Sequence, residues 1–122
     1  MGRVGIGQVS SAALFASGVA GVVIPGKVAA ALKLTPDDGR GIAEVRAGLG
    51  GTYAGLGAWA LLSGSPAARR AVGMTWLGAA AARLLALRVD EPETDRDFWS
   101  YLAAELVLGA GAVASSTRHG TR

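Results

Sequence analysis

The sequence contains no cysteine, one histidine, and few charged or aromatic side chains among its 122 residues. Without cysteine, the chain has no disulfide, no thiol nucleophile and no thiolate metal ligand. A single histidine, His119, excludes a multi-histidine metal site, and no residue pattern indicates a cofactor. Charged residues make up 17% of the chain and hydrophobic residues 51%, whereas about 25% charged residues is typical of soluble domains. This balance excludes a disordered chain and argues against an ordinary soluble enzyme.

Four stretches of the chain are nearly free of charge, namely 4–24, 42–62, 71–87 and 98–114. Each reaches the roughly 17–25 residues with which an apolar helix crosses a bilayer. A soluble amphipathic helix would carry a charged face along its length, and these stretches do not. The pattern predicts an all-α fold, an integral membrane four-helix antiparallel bundle formed by a single domain of residues 1–122. The alternative is a soluble, alanine-rich four-helix bundle.

Proline and aspartate mark the breaks between these stretches. Pro25 ends the first helix because proline cannot continue the hydrogen-bond ladder, and Pro66 suits the first turn of the third. The acidic run at 90–97 contains aspartates that can cap the fourth helix. Basic residues are divided equally between the two faces of the bundle, whereas the acidic loop residues all lie on one face. We therefore expect a multi-pass protein of the cell membrane with both termini in the cytoplasm.

The face that carries the termini is basic and nearly free of acidic residues. Its basic residues are Arg3, Arg69, Arg70, Arg118 and Arg122. A basic face beside a membrane is typical of contact with anionic lipid. We therefore expect membrane lipid as a partner, and not nucleic acid.

Four charged residues interrupt the apolar stretches, namely Glu44, Arg46, Arg83 and Glu105. Their charges sum to zero. At 1.5 Å per residue, the last three lie roughly 6–10 Å below the same membrane face. A charge within a membrane helix costs at least ~2.5–3.5 kcal/mol at the centre, and it usually has a partner or a function. The spacing therefore predicts one intramembrane polar cluster, with Arg88 and Asp90 just above it.

The second stretch places several of these residues on one face. Arg46, Gly50 and Tyr53 follow i, i+4, i+7 spacing, and Tyr101 and Glu105 share a face of the fourth helix in the same way. The predicted pocket is lined by Arg46, Tyr53, Arg83, Tyr101 and Glu105 and opens towards the acidic loop. Gly50 leaves room beside the Arg46 guanidinium. Glu44, Arg88 and Asp90 complete the candidate ligand-binding residues, and no set of metal ligands is predicted.

Three functions fit this cluster. In the first, the protein binds a lipid-like or apolar small molecule, or an accessory partner. Arg46 and Arg83 then hold an anionic or carbonyl-bearing lipid-like group, and Glu105 orients them. In the second, the protein is a membrane-embedded isomerase, cyclase or epoxide-opening hydrolase, with Glu105 as general acid or base and Tyr53 or Tyr101 as proton donor. In the third, a homo-oligomer, specifically a dimer, forms a small transporter coupled through the charged residue. Alternatively, the charges only fix the register of the helices.

The run EVRAGLGGTYAGLG at 44–57 carries a family resemblance. It resembles the small four-helix bacterial membrane proteins of domain-of-unknown-function family 4345, in which an E-x-R-A stretch and a Gly-Gly-x-Tyr-like stretch open the second helix. Arg83 near the end of the third helix and Glu105 in the fourth match the family's pattern. The turn at 90–92 departs from the expected Asp-Gly-Pro-like turn. The resemblance covers nearly the whole chain and implies the architecture and the choice of polar residues, but no activity.

Overall fold

The computed structural model describes residues 4–120, with side chains described over 4–117. Its elements are α1 (Ile6–Val23), α2 (Pro25–Ala31), α3 (Gly39–Glu44), a π-helical segment (Val45–Gly51), α4 (Thr52–Ser63), α5 (Pro66–Val89) and α6 (Arg96–Gly120). The described residues contain no strand, and the predicted all-α class is confirmed. In place of four simple helices, this part of the chain forms six α-helices and one π-helical segment. Both α5 and α6 extend beyond the predicted 71–87 and 98–114 at each end.

The helix boundaries follow the turn chemistry of the sequence. α1 ends immediately before the break at Pro25, which opens α2, and Pro66 opens α5. Gly64, with φ +62°, ends α4 in the left-handed conformation that glycine adopts without strain. The Asp95 carboxylate accepts a hydrogen bond of 2.9 Å from the Phe98 N–H at the start of α6. These observations confirm both predicted proline boundaries and the predicted aspartate cap.

The second apolar stretch is a continuous helical run with a π-helical middle. The residues at its two junctions, Glu44 and Thr52, both have right-handed helical backbone angles. The N–H of Thr52 donates to the carbonyl of Ala47, five residues earlier, and its hydroxyl donates to the same carbonyl at 3.2 Å. A π-helix takes more residues per turn than the 3.6 of an α-helix. Side chains before this segment are therefore rotated relative to side chains after it.

α1 lies against most of the molecule and approaches its neighbours closely. It packs on α4, the π-helical segment and α6, while α5 packs mainly on α6. A Cβ added at Gly21 would lie 2.6 Å from the Gly50 Cα, and one added at Gly57 would lie 2.6 Å from the Phe15 backbone nitrogen. The two contacts show that α1 and the helical run 39–63 are antiparallel. Glycines at these positions let the backbones touch, as in tightly packed membrane helices.

Three helices of the described chain are long and apolar enough to cross a membrane. These are α1, α5 and the part of α6 over Arg96–Thr117, and only 33%, 17% and 22% of their apolar windows are buried. Large apolar side chains point outwards, among them Leu62, Leu85 and Val107, each more than 60% exposed. The buried apolar cluster is small and consists of Leu14, Ala60, Ala68 and Val72. The surface is thus richer in large apolar side chains than the interior.

Candidate functional site

An ion pair joins α5 to α6 inside the bundle. Arg83 Nε donates to Glu105 Oε1 at 2.9 Å, and Nη2 donates to Oε2 at 2.7 Å. The Glu105 residue is 6% exposed. The Arg83 guanidinium also lies over the rings of Phe98 and Tyr101, at 5.3 and 5.6 Å from their centroids. Two parallel bonds and two aromatic faces hold the guanidinium in one orientation.

A cavity of about 330 Å³ opens beside this ion pair. Its lining residues are Leu14, Ser17, Leu32, Leu49, Tyr53, Thr75, Trp76, Ala79, Arg83, Tyr101, Ala104 and Glu105. Most of this lining is apolar, and the charged groups are confined to the ion pair. We call this space the inner cavity. Its size lies at the lower end of the ~300–1,000 Å³ typical of small-molecule sites.

The inner cavity has a fixed aromatic wall. The indole N–H of Trp76 donates to the carbonyl of Ser10 at 3.2 Å, which ties α5 to α1. On the neighbouring wall, the Thr75 hydroxyl donates to the carbonyl of Ala71 within α5 at 2.9 Å. The π-helical segment contributes Leu49 to the lining. Interruptions of this kind in a helix are frequent at functional sites.

A second depression, of about 280 Å³, lies on the outer side of the same ion pair. It shares Leu32, Arg83 and Tyr101 with the inner cavity and adds the acidic residues Glu93, Asp95 and Asp97. We call it the outer depression. The three shared residues form the boundary between an acidic entrance and an apolar interior. The Tyr101 hydroxyl is held there by donating to the Ala31 carbonyl at 3.2 Å.

The rim of the outer depression carries a further ion pair. Lys33 Nζ lies 3.6 Å from Asp95 Oδ2. The hydrogen bond from the Phe98 N–H holds the pKa of the Asp95 carboxyl below its ordinary value, and the attraction of Lys33 adds to this effect. The loop before α6 is thereby linked to the segment that follows α2.

Arg46 and Glu44 do not join the predicted cluster. The Arg46 Nη1 donates to the carbonyl of Val22, in the last turn of α1, and Glu44 accepts from Arg40 Nε at 2.6 Å on the surface. The last carbonyls of a helix lack backbone donors, and Pro25 supplies none. Arg46 therefore caps α1. Arg46 lies in the π-helical segment and Tyr53 in α4, so the regular α-helical spacing that would align them on one face does not apply, and the predicted stripe is wrong for Arg46.

The remaining candidates are divided. Tyr53, Arg83, Tyr101 and Glu105 come together at the inner cavity, as predicted. Gly50 instead packs against α1, where an added Cβ would lie 2.7 Å from the backbone of Gly21. Arg88 and Asp90, at the end of α5, are exposed and line neither the inner cavity nor the outer depression. The expected layer of Arg46, Arg83 and Glu105 is thus replaced by one partly buried ion pair, Arg83–Glu105.

The sequence reasoning missed several wall residues, although a signal for them exists. Thr75, Ala79 and Arg83 follow i, i+4, i+8 spacing on α5, so the stripe that ends in Arg83 marks one cavity wall. Trp76 lies next to that stripe in the sequence. On α6, Ala104 directly precedes Glu105, and both line the inner cavity. Applying helical periodicity to α5 as well as to the second stretch would have found them.

The comparisons with known proteins find no match. No family model matches the chain, and neither a curated protein nor a solved structure matches it. Within the described residues, no group of three histidine, cysteine, aspartate or glutamate side chains is placed to hold a metal ion. The side chains of His119, Arg118 and Arg122, like Arg3, lie outside the described residues.

Proposed function

We propose that this chain is a small multi-pass protein of the cell membrane in which α1, the helical run 39–63, α5 and α6 form an antiparallel four-helix bundle. The support is the exposure of large apolar side chains on α1, α4, α5 and α6. A soluble alanine-rich bundle would bury these side chains, since their contact with water is unfavourable. Termini in the cytoplasm and membership of family 4345 belong to the same proposal.

Within the bundle, the inner cavity binds an apolar or lipid-like small molecule. The observation that carries this function is an apolar cavity whose charged groups are confined to the Arg83–Glu105 pair. The walls suit a hydrocarbon body, and the ion pair with Tyr53 and Tyr101 suits one polar group. The boundary formed by Leu32, Arg83 and Tyr101 faces the outer depression, which is the route by which a polar end would meet water.

The ion pair favours a neutral polar group over an anion. Glu105 already neutralises Arg83 through Nε and Nη2, so a carboxylate ligand would meet a buried negative charge. Nη1 of Arg83 is not used in that pair and can donate to a carbonyl or hydroxyl oxygen. A fatty ester, ketone or alcohol therefore fits the cavity better than a fatty acid.

The same geometry argues for binding over catalysis. A general acid or base must exchange a proton with the substrate within hydrogen-bond reach. Both carboxylate oxygens of Glu105 accept hydrogen bonds from Arg83, which occupies the groups that would act. Glu105 thus holds the Arg83 guanidinium in place, and Arg83 acts as a fixed hydrogen-bond donor to the ligand.

Trp76 provides an internal probe of this cavity. A variant with Trp59→Phe and Trp99→Phe keeps Trp76 alone, and both replaced side chains are about half exposed. In micelles of a neutral detergent, a dibrominated methyl stearate should quench Trp76 with saturation. Unbrominated methyl stearate should compete for the site, and stearate should compete less well because of Glu105.

Two neighbouring substitutions on α6 separate the cavity from the micelle. Ala104→Leu places a larger side chain at the wall of the inner cavity, and Ala103→Leu makes the same change at the neighbouring position, which is exposed like Ala104 but does not line the cavity. Ala104→Leu should raise the half-saturating ester concentration roughly tenfold or more, equivalent to about 1.4 kcal/mol. Ala103→Leu should leave it unchanged. Identical quenching curves for the two variants would contradict the proposed site.

A further inference from the structure

Arg69 is buried at the end of the molecule opposite the inner cavity. It lies fourteen residues before Arg83 on α5, roughly 20 Å away along the helix axis. The residue is only 9% exposed. A Cβ added at Gly7 would lie 2.8 Å from the Arg69 Cδ, so the start of α1 makes room for its stem.

The guanidinium of Arg69 is incompletely paired. Nη1 donates to the Gly64 carbonyl at 3.0 Å, which caps the end of α4. Nε is buried and has no acceptor among the residues the structure describes. A buried donor without a partner is unfavourable, and a charged one more so.

No acidic side chain neutralises this cation. All nine aspartates and glutamates of the sequence lie within the described part of the chain, and the ion pairs found there do not include Arg69. The first turn of α5 adds to the problem, because the positive end of a helix dipole repels a cation and attracts an anion. The negative charge that would neutralise Arg69 would therefore come from another molecule.

A cavity of about 290 Å³ adjoins Arg69 between α1 and α4. Gln8, Ser11, Ala12, Leu61 and Gly64 lie around it, and none of its lining residues is acidic. The Gln8 Oε1 accepts from the Gly5 N–H at 2.9 Å, which leaves the amide NH₂ as a second donor. The walls are otherwise mostly apolar. This combination suits an anion attached to an apolar body.

We propose that Arg69 and this cavity form a phosphate site, separate from the inner cavity. The proposal uses the membrane placement given above, because that placement brings the start of α5 to the depth of lipid headgroups. An anionic lipid headgroup and free phosphate share the required chemistry. Arg69 binds the phosphate oxygens, and Gln8 donates from the side.

The test measures the unfolding midpoint in dodecyl maltoside micelles against added phosphatidylglycerol, phosphatidylcholine or inorganic phosphate. Arg69→Gln is compared with Arg70→Gln, which removes the neighbouring exposed arginine. Phosphatidylglycerol should raise the midpoint of wild type and Arg70→Gln equally, and Arg69→Gln should need roughly tenfold more lipid or greater. A full response to inorganic phosphate alone would identify free phosphate as the ligand.

Ala12→Leu is the second variant, because it fills the cavity and keeps the guanidinium. Ala12→Leu should weaken the rise in unfolding midpoint caused by phosphatidylglycerol. This result tests the site independently of whether Arg69→Gln folds. Ala104→Leu should keep the full response, so failure of the inner-cavity proposal is distinguishable from failure of this one. No midpoint shift in wild type with any of the three additives overturns the phosphate site. Equal responses of Ala12→Leu and Arg70→Gln also overturn it.

Discussion

Gly57 and Gly55 lie in the same helix and provide a matched test of how α1 and α4 pack. A Cβ added at Gly57 would lie 2.6 Å from the backbone nitrogen of Phe15 and 2.7 Å from its Cα. A Cβ added at Gly55 has nothing within 4 Å. Alanine at Gly57 would therefore place its methyl group against the backbone of α1. Alanine at Gly55 would place the same group in open surroundings.

The two variants share one energetic term and differ in another. Alanine is favoured over glycine in a helix by about 1 kcal/mol, and this gain applies to both positions. At Gly57 alone, the helices must move apart, and overpacking of this kind costs about 1–3 kcal/mol. The difference between the variants isolates the packing term, so Gly57→Ala should be about 1–3 kcal/mol less stable than Gly55→Ala.

Reversible unfolding in mixed micelles of dodecyl maltoside and sodium dodecyl sulfate measures this difference. Gly55→Ala should unfold at the wild-type detergent fraction or above it, and Gly57→Ala should unfold below it. Adding Phe15→Ala should not restore Gly57→Ala, because the nearest atoms belong to the Phe15 backbone. Equal stability of the two glycine variants, or rescue by Phe15→Ala, would refute the close approach of α1 and α4.

Three further predictions use the same unfolding assay. Glu105→Gln should lower the free energy of unfolding by about 1–3 kcal/mol, because it removes the charged partner of Arg83; unchanged stability would contradict the buried pair. Arg46→Met should cost about 0.5–1.5 kcal/mol through its bond to the Val22 carbonyl and leave ester binding unaltered. Altered ester binding would show that Arg46 contributes to the ligand site after all. Asp95→Asn should destabilise the protein at neutral pH, because the folded-state pKa of Asp95 is lowered. The difference in stability from wild type should vanish as pH falls through that lowered pKa; a difference that persists in acid would show that the Asp95 charge is not its cause.

The helix boundaries were the most predictable part of the fold, because each depends on a few neighbouring residues. Pro25 and Pro66 lack the N–H of a helix interior, and Asp95 offers an acceptor to the free N–H groups of α6. These effects act within one turn and need no knowledge of the tertiary structure. The predicted stretches were too short in α5 and α6 because charge patterning locates the apolar part of a helix and not its polar ends.

The site was partly predictable for a related reason. Arg83 and Glu105 were expected at one depth because both distances were counted from helix ends within regular α-helices. The stripe of Arg46, Gly50 and Tyr53 was counted along one regular α-helix, but Arg46 and Gly50 lie in the π-helical segment, which removes the constant angle per residue on which that stripe depends. Nothing in the residue types at 45–51 distinguishes this segment from an α-helix, since glycine and alanine permit both.

The cavities depend on interhelical distances, which single-sequence patterns do not specify. Gly57 and Gly55 are the same residue type in the same helix, yet one touches the α1 backbone and the other has open surroundings. Which glycine faces α1 depends on the rotation of α4 that follows the π-helical segment. The same rotation orients Tyr53 towards Arg83 and leaves Arg46 to cap α1. The chemistry of the site could thus be inferred from its charged residues and its α5 wall from helical spacing, whereas the wall contributed by the helical run 39–63 required knowledge of this rotation.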